Sequence, residues 1–364
     1  MENLFKDAYF GKSFMMIGDS LPYCLGCSYC RANDGDEKHY GLIPTELNPK
    51  FKNIPVAVNL FYGDPMIQID NTLSYLDRLE KAGHTGPVII ITKGNLRKFP
   101  KDRKYNLDLH FGLSTFGVDT TPRYDGGSMG CFRDNLEYVR ELGYKYSIEF
   151  RPIINHINDD WETIEDVFKL ASEHNTGIGY CGLQVSPILK KLIEIEKLPF
   201  IPYEGCGFGM KKYLPPRITS IFDILNQKYI DSAHAFRKTS CLIAWKHGLD
   251  RDPNAHYYRP NEVGCKTCPM YEKCMAYKNS LSKDNDIDIP FDYEIVEKDK
   301  HVCGLFKLGV CKFPSSDCMN INGKLIKINE KITTTDVRLI KWLTGYTVDA
   351  EFVESPFMSK KWIV

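Results

Sequence analysis

Two patterns of hydrophobic positions alternate along roughly the first 200 residues. Short β-branched apolar runs stand at 14–17, 56–61, 88–91, 109–114, 146–154 and 180–185. Between them lie amphipathic segments of helix length, an alternation that argues for a parallel sheet. Segment 71–82 carries Leu73, Leu76 and Leu79 at threefold spacing, and segments 133–142 and 161–172 repeat the pattern. Asp160 is placed to cap the last of these helices, with acidic residues in the first turn. Gly83, Gly143 and Gly177 sit where the helices would stop. At least five β–α units predict an α/β fold of the partial (β/α)6-type barrel class. Its active end would lie at the C-terminal ends of the strands.

The pattern changes after residue 200. Segment 198–216 is rich in Gly and Pro and reads as a junction. Two helices follow, over 218–226 and 232–245, and then a polar stretch with Cys265, Cys268 and Cys274. The acidic run 282–294 reads as a linker. In the tail, 321–328 reads as a strand pair around Asn322-Gly323, 337–343 as a helix and 347–353 as a last strand. The expected domains are a barrel (1–200), a cysteine-rich extension (201–281), and a linker with a small α+β module (282–364).

Composition narrows the class. The 364 residues are 43% hydrophobic and 26% charged, ordinary for a folded domain. Lys+Arg and Asp+Glu both number 47, so no global charge steers the chain to nucleic acid or a membrane. No apolar run approaches the roughly 18 residues of a membrane span. The N-terminus lacks a basic segment followed by an apolar core, so a cytoplasmic location without a signal peptide is expected. The 13 cysteines are odd in number, which disfavours a disulfide framework. Cys131, Cys181 and Cys206 stand alone and read as small buried side chains. Other cysteines cluster, and clusters point to metal.

The densest cluster is Cys24-Leu25-Gly26-Cys27-Ser28-Tyr29-Cys30. Three thiolates this close can wrap one metal centre. Tetrahedral zinc wants four protein ligands, and beyond His39 no fourth Cys or His follows at short range. An iron–sulfur cube also takes four ligands, but one iron can be left open.

This loop, following the first strand and with Tyr29 just before the last Cys, resembles the signature of radical SAM enzymes. Four further segments fall where that family would put them. Tyr62-Gly63-Asp64-Pro65 ends the second strand, Thr92-Lys93 the third and Ser114-Thr115 the fourth. The fifth carries Glu149-Phe150-Arg151-Pro152, with Asn155, Asn158 and Asp159 beyond it. That stretch is similar to the branch containing spore photoproduct lyase. The resemblance covers roughly residues 12–190. It departs from the family in one respect: the cysteines are separated by two and two residues, where the usual spacing is three and two. A tighter turn at Leu25-Gly26 would close the loop, since Gly tolerates positive φ. A ferredoxin-like or zinc loop is the alternative.

The resemblance implies that Cys24, Cys27 and Cys30 hold a [4Fe–4S] cluster with one open iron, chelated by S-adenosylmethionine (SAM). Reductive cleavage of SAM would give methionine and a 5′-deoxyadenosyl radical that abstracts hydrogen from a substrate. It further implies SAM contacts at Tyr29, Gly63, Asp64, Ser114, Arg151 and Gln184. Arg151, on a buried strand, needs a carboxylate partner, either that of SAM or Glu149. The electron would come from a flavodoxin- or ferredoxin-type donor.

Cys265, Cys268 and Cys274 have spacings that resemble a shortened auxiliary-cluster extension, and Cys241 upstream would make a fourth ligand. The expected occupant is a second [4Fe–4S] cluster, with zinc as the alternative. Cys303, Cys311 and Cys318 are spaced more loosely. A second cluster able to accept an electron favours net oxidation of a peptide or small molecule. Nucleic-acid repair or modification is the alternative. It would use Lys211, Lys212, Arg217, Lys228, Arg237 and Lys238, with Tyr203, Phe208 and Tyr213 stacking on bases. A non-catalytic iron–sulfur or zinc protein is the rival from another class.

Overall fold

The computed structural model describes residues 15–17, 51–58, 63–118, 129–183, 185, 187–195, 200–203, 214–250, 267–281, 291–297, 324–333, 336–337, 340 and 347–353. Seven strands form one parallel sheet in sequence order: β1 (Met15–Ile17), β2 (Val56–Val58), β3 (Pro87–Thr92), β4 (Asp108–Thr115), β5 (Lys145–Ile153), β6 (Gly177–Gly182) and β7 (His234–Phe236). Consecutive order with every pairing parallel is the topology of an open β/α barrel wall.

Helices α1 (Ile69–Lys81), α2 (Met129–Leu142), α3 (Trp161–Glu173), α4 (Pro187–Ile195) and α5 (Pro216–Lys228) lie between strands, and α6 (Thr239–Lys246) follows β7. Strand side chains alternate between two faces. One face presents Leu109, Phe111, Leu113, Ile148, Phe150, Ile178 and Tyr180, all buried with the apolar stripes of α2, α3 and α5. Tyr180 stacks on Phe222 of α5 at 3.7 Å between ring centroids, and Phe168 of α3 lies 5.9 Å from Phe222. The other face carries His110, Gly112, Ser114, Ser147, Glu149 and Arg151. It is polar, and α6 closes part of it. Asp160 caps α3 as expected, its side chain accepting from the Thr163 amide at 2.8 Å.

Several expectations change. The sheet has a seventh strand, because Ala235 pairs with Ile178 where a helix over 232–245 was expected; the helix begins only at Thr239. Gly83 and Gly143 do follow helices at positive φ, 68° and 77°. Gly177 instead begins β6, and Asn175 takes the left-handed turn after α3. A Cβ on Gly177 would lie 2.2 Å from Leu242 Cδ1, so this glycine permits α6 to dock.

The polar cysteine stretch contains a helix, α7 (Tyr271–Leu281). The expected linker 282–294 runs into a strand, β8 (Tyr293–Glu297). It pairs antiparallel with β9 (Lys324–Ile328), so the described part of 321–328 is a single strand, not a pair. Of the expected helix 337–343, Val337 and Ile340 are helical. The expected last strand is two short ones, β11 (Thr347–Asp349) and β12 (Phe352–Val353). β11 pairs with β9, and β12 pairs with β10 (Ile332–Thr333). Among the described residues, no helix is long and apolar enough to cross a membrane.

Candidate active site at the mouth of the sheet

Because all seven strands run parallel, their C-terminal ends share one edge. Gly63 and Asp64 follow β2 there. Asp64 is buried, and its carboxylate gathers four donors. Oδ1 accepts from the Met66 amide at 2.9 Å and the Thr92 hydroxyl at 2.5 Å. Oδ2 accepts from the amides of Lys93 at 2.8 Å and Gly94 at 3.2 Å. This carboxylate therefore ties the β2 loop to the end of β3. A Cβ on Gly94 would stand 2.8 Å from Asp64 Oδ1, so the approach requires glycine.

The neighbouring strand ends are joined by Asn158. Its Oδ1 accepts from the Ile154 amide at 2.7 Å, and its Nδ2 donates to the carbonyls of Phe116 at 2.8 Å and Pro152 at 3.0 Å. Asp159 accepts from the His156 amide, the Tyr203 hydroxyl at 3.0 Å and Arg217 at 2.6 Å. Burial and the Asp159 charge raise the Tyr203 phenol above its ordinary range. Arg217 is thus committed to an ion pair, and Lys228 is paired with Glu165. Two of the six basic residues considered for nucleic acid therefore have internal partners.

At the centre of the polar face lies Glu149, fully buried on β5. Its Oε2 is 3.3 Å from Arg151 Nε and accepts from the Thr239 hydroxyl at 3.0 Å. Arg151 Nη1 donates to the same hydroxyl at 3.2 Å, closing a three-membered network between β5 and α6. Glycines on both flanking strands make room for the carboxylate. A Cβ on Gly179 would lie 2.5 Å from Glu149 Oε2, and one on Gly112 would lie 3.1 Å from its Cγ. Ser114 is half-buried, one register step away as the β4 partner of Glu149.

Of the residues expected at a SAM site, the structure brings Ser114 and Arg151 to one face and puts Gly63 and Asp64 after β2, two strands from β4. Cys24, Cys27, Cys30, Tyr29 and Gln184 lie outside the described residues, as do Cys206, Cys265, Cys303, Cys311 and Cys318, and Lys211, Lys212, Phe208 and Tyr213. Cys241 is on α6, Cys268 precedes α7 and Cys274 is on α7, all half-buried. Among the described residues no three His, Cys, Asp or Glu side chains are grouped closely enough to hold a metal ion. Asp223 of α5 is hydrogen-bonded to Thr267, which anchors the turn before Cys268; burial raises the Asp223 carboxyl despite that bond.

Sequence reasoning missed Thr239. The signal for a crowded site was present in Gly112 and Gly179, because interior strand glycines mark a close approach.

No protein-family model matches the sequence, and no curated protein matches it. Solved structures with a similar chain trace include Streptococcus suis SuiB bound to S-adenosylmethionine, 14% identical over 62% of this chain and 50% of that one, TM-score 0.36. SuiB bound to the precursor peptide SuiA is 13% identical over 70% and 55%, TM-score 0.37. Spore photoproduct lyase complexed with dinucleoside spore photoproduct is 16% identical over 57% and 72%, TM-score 0.43. The matched region spans about half the length of the SuiB chains. At these scores the likeness assigns no function.

Proposed function

We propose that this chain is a radical SAM enzyme whose substrate binds at the C-terminal mouth of the sheet. The observation that carries the reading is the origin of the three-cysteine loop. Cys24 follows Ile17, the end of β1, by seven positions, so the loop departs from the edge of the sheet that also bears Gly63, Asp64, Ser114 and Arg151. Three thiolates leave one iron of a cube without a protein ligand, the donor set this chemistry needs. A bound [4Fe–4S] cluster with SAM supplies one-electron reductive cleavage and, through it, hydrogen abstraction from an unactivated C–H.

The residues of this chain have supporting roles. Asp64 fixes the turn that follows Gly63 and ties it to the end of β3. Arg151 offers a fixed cation for a carboxylate, held in place by Glu149 and Thr239. The apolar wall behind them, Phe116, Ile154, Leu183 and Val185, is buried and excludes water.

A second metal site, iron–sulfur or zinc, would draw on Cys241, Cys265, Cys268 and Cys274, and it would require Cys241, Cys268 and Cys274 to come closer than they stand in this structure. An electron-accepting second cluster favours oxidation of a peptide or small molecule. The test is anaerobic reconstitution with iron and sulfide, then dithionite and SAM. Iron, zinc and 5′-deoxyadenosine are quantified per chain. Formation of 5′-deoxyadenosine that is lost in Cys27→Ala supports the reading. A loaded protein that fails to cleave SAM with every donor and candidate substrate tried overturns it. About eight irons per chain assigns iron to the second site, and about four irons with one zinc assigns zinc.

A further inference from the structure

The opposite end of the polar face holds a second array of polar groups. His110 is completely buried near the start of β4, one step from the sheet edge. Its Nε2 is 2.8 Å from Ser147 Oγ, and its Nδ1 is 3.1 Å from Nε2 of His247, the residue that ends α6. His247 Nδ1 in turn lies 2.6 Å from Asp108 Oδ2. Asp108 is 37% exposed and lines a cavity of about 440 Å³ with Glu80, His84, Tyr105 and Asn106. Ser147 is buried and lies two residues before Glu149 on the same strand face. An unbroken series of hydrogen-bond distances therefore runs from the interior of the sheet to a cavity at its N-terminal end.

The distances in this series allow two hydrogen-bond polarities. Nδ1 of His247 meets an acceptor, Asp108, but it also lies 3.2 Å from the Lys145 ammonium, which can only donate. If Nδ1 carries the proton, it donates to Asp108, Nε2 of His247 accepts from His110 Nδ1–H, and His110 Nε2 accepts from the Ser147 hydroxyl. If Nδ1 is bare, it accepts from Lys145, the bond to the Asp108 carboxylate is given up, and the bonds joining His247, His110 and Ser147 reverse. Lys145 also donates to Asp108 Oδ1 at 2.9 Å, so it is held in place in both arrangements.

We propose that Ser147, His110, His247 and Asp108 form a reversible proton line through the floor of the barrel, linking its polar interior to solvent opposite the mouth. A proton reaching the Ser147 oxygen displaces the serine proton to His110 Nε2. The His110 Nδ1 proton moves to His247 Nε2, and the His247 Nδ1 proton moves to the Asp108 carboxylate and then to water. One proton enters and one leaves, no bond between heavy atoms breaks, and no electron moves. In the inward passage Asp108 takes a proton from water and hands it to His247 Nδ1, and the same transfers run backwards, with Lys145 holding the bare Nδ1 by a hydrogen bond beforehand. The charged groups around the two imidazoles are Asp108, Lys145 and Lys246. Burial holds both imidazoles below their ordinary pKa, so at rest both rings are uncharged. The inference does not depend on which reaction the mouth supports.

The test is long-range proton–nitrogen NMR on the full chain labelled with [15N]histidine at pH 7.5, without any cluster. The two rings are assigned with His110→Gln and His247→Gln. The expected wild-type spectrum shows both rings averaging between two tautomers. Lys145→Met removes the donor that supports the reverse polarity. His247 and, through it, His110 should then both lock in the Nδ1–H form, and solvent exchange of the His110 ring N–H should slow at least tenfold. Lys145 is 42% exposed, so this change leaves the core intact. Single fixed tautomers in the wild type, or a response to Lys145→Met confined to His247, would show the pair to be a static clamp and overturn the proposal. Because no cluster is present, neither result bears on SAM cleavage.

Discussion

Asp64 combines burial with four converging donors, and a carboxylate so placed is sensitive to loss of one oxygen. Asn at this position would keep one acceptor and turn an NH2 group toward the Lys93 and Gly94 amides. Asp64→Asn should cost about 2 kcal/mol, within the range for hydrogen bonds to a charged group. The readout is a lower urea midpoint at unchanged m-value. Thr92→Val, which removes a single donor, should cost about half as much. Equal effects of the two changes would contradict the role assigned to the carboxylate.

The buried histidines set a second property at this scale. Burial lowers His84 and His234 to about 4, and it also depresses His110 and His247. In the unfolded chain each titrates near 6.5. As pH falls from 7, the unfolded state therefore takes up protons first and the folded state loses stability. The contribution is complete above about pH 6.5 and is lost progressively toward pH 4. The slope approaches about 1.4 kcal/mol per pH unit for each histidine. Asp108 acts in the same direction at lower pH: burial raises it, but the bonds from His247 and Lys145 outweigh that and leave it below its ordinary value. Urea midpoints measured from pH 7.5 to 4.5 should fall steadily, and His84→Gln should flatten the curve. A midpoint flat across that interval would be inconsistent with neutral buried imidazoles.

At the scale of elements, α6 is what covers part of the polar face of the sheet. It supplies Thr239 to the Glu149–Arg151 pair, Leu242 against Gly177, and His247 to His110. Gly177→Ala would force a methyl group into Leu242 and the Trp245 ring. The expected cost is about 1–3 kcal/mol of overpacking. Amide exchange protection should drop in α6 and remain in α2 and α3. Combining the change with Leu242→Ala should cost less than the sum of the two, because the truncated side chain vacates the space. Additive costs would mean that the contact does not constrain the helix.

Legibility in the sequence divides along the same line. β1 to β6 and helices α1 to α3 could be read from periodicity, since each has several apolar positions at one spacing. β7 contributes only His234, Ala235 and Phe236, too few to show a period, and it merges with the helical pattern after it. Arg151 was readable as a buried cation needing a carboxylate, and Glu149 as one candidate for that carboxylate. The clamp at Asp64 was not readable, because its partners Thr92, Lys93 and Gly94 are set by strand order and not by local spacing. His110 and His247 are separated by 137 positions and meet only because α6 folds back over the sheet.

At the scale of the whole molecule, the C-terminal strands test whether the expected boundary near residue 282 separates independent units. Phe291, just before β8, lies against Phe51, whose chain leads into β2, with ring centroids 5.5 Å apart. Ile326, Ile328, Ile332, Val337 and Ile340 belong to the same continuous apolar cluster as the core of the parallel sheet. A shared core implies shared cooperativity. Phe291→Ala removes a buried ring and should cost about 3 kcal/mol. If the two parts unfold together, calorimetry will show one transition moved to lower temperature, and near-UV and far-UV signals will move with it. If the tail is a separate module, the variant will instead split off a small early transition and leave the main one in place. The packing of Phe51 against Phe291 favours the first result. On that expectation, shortening the chain before residue 291 should uncover Phe51 and destabilise the β1–β2 side of the sheet.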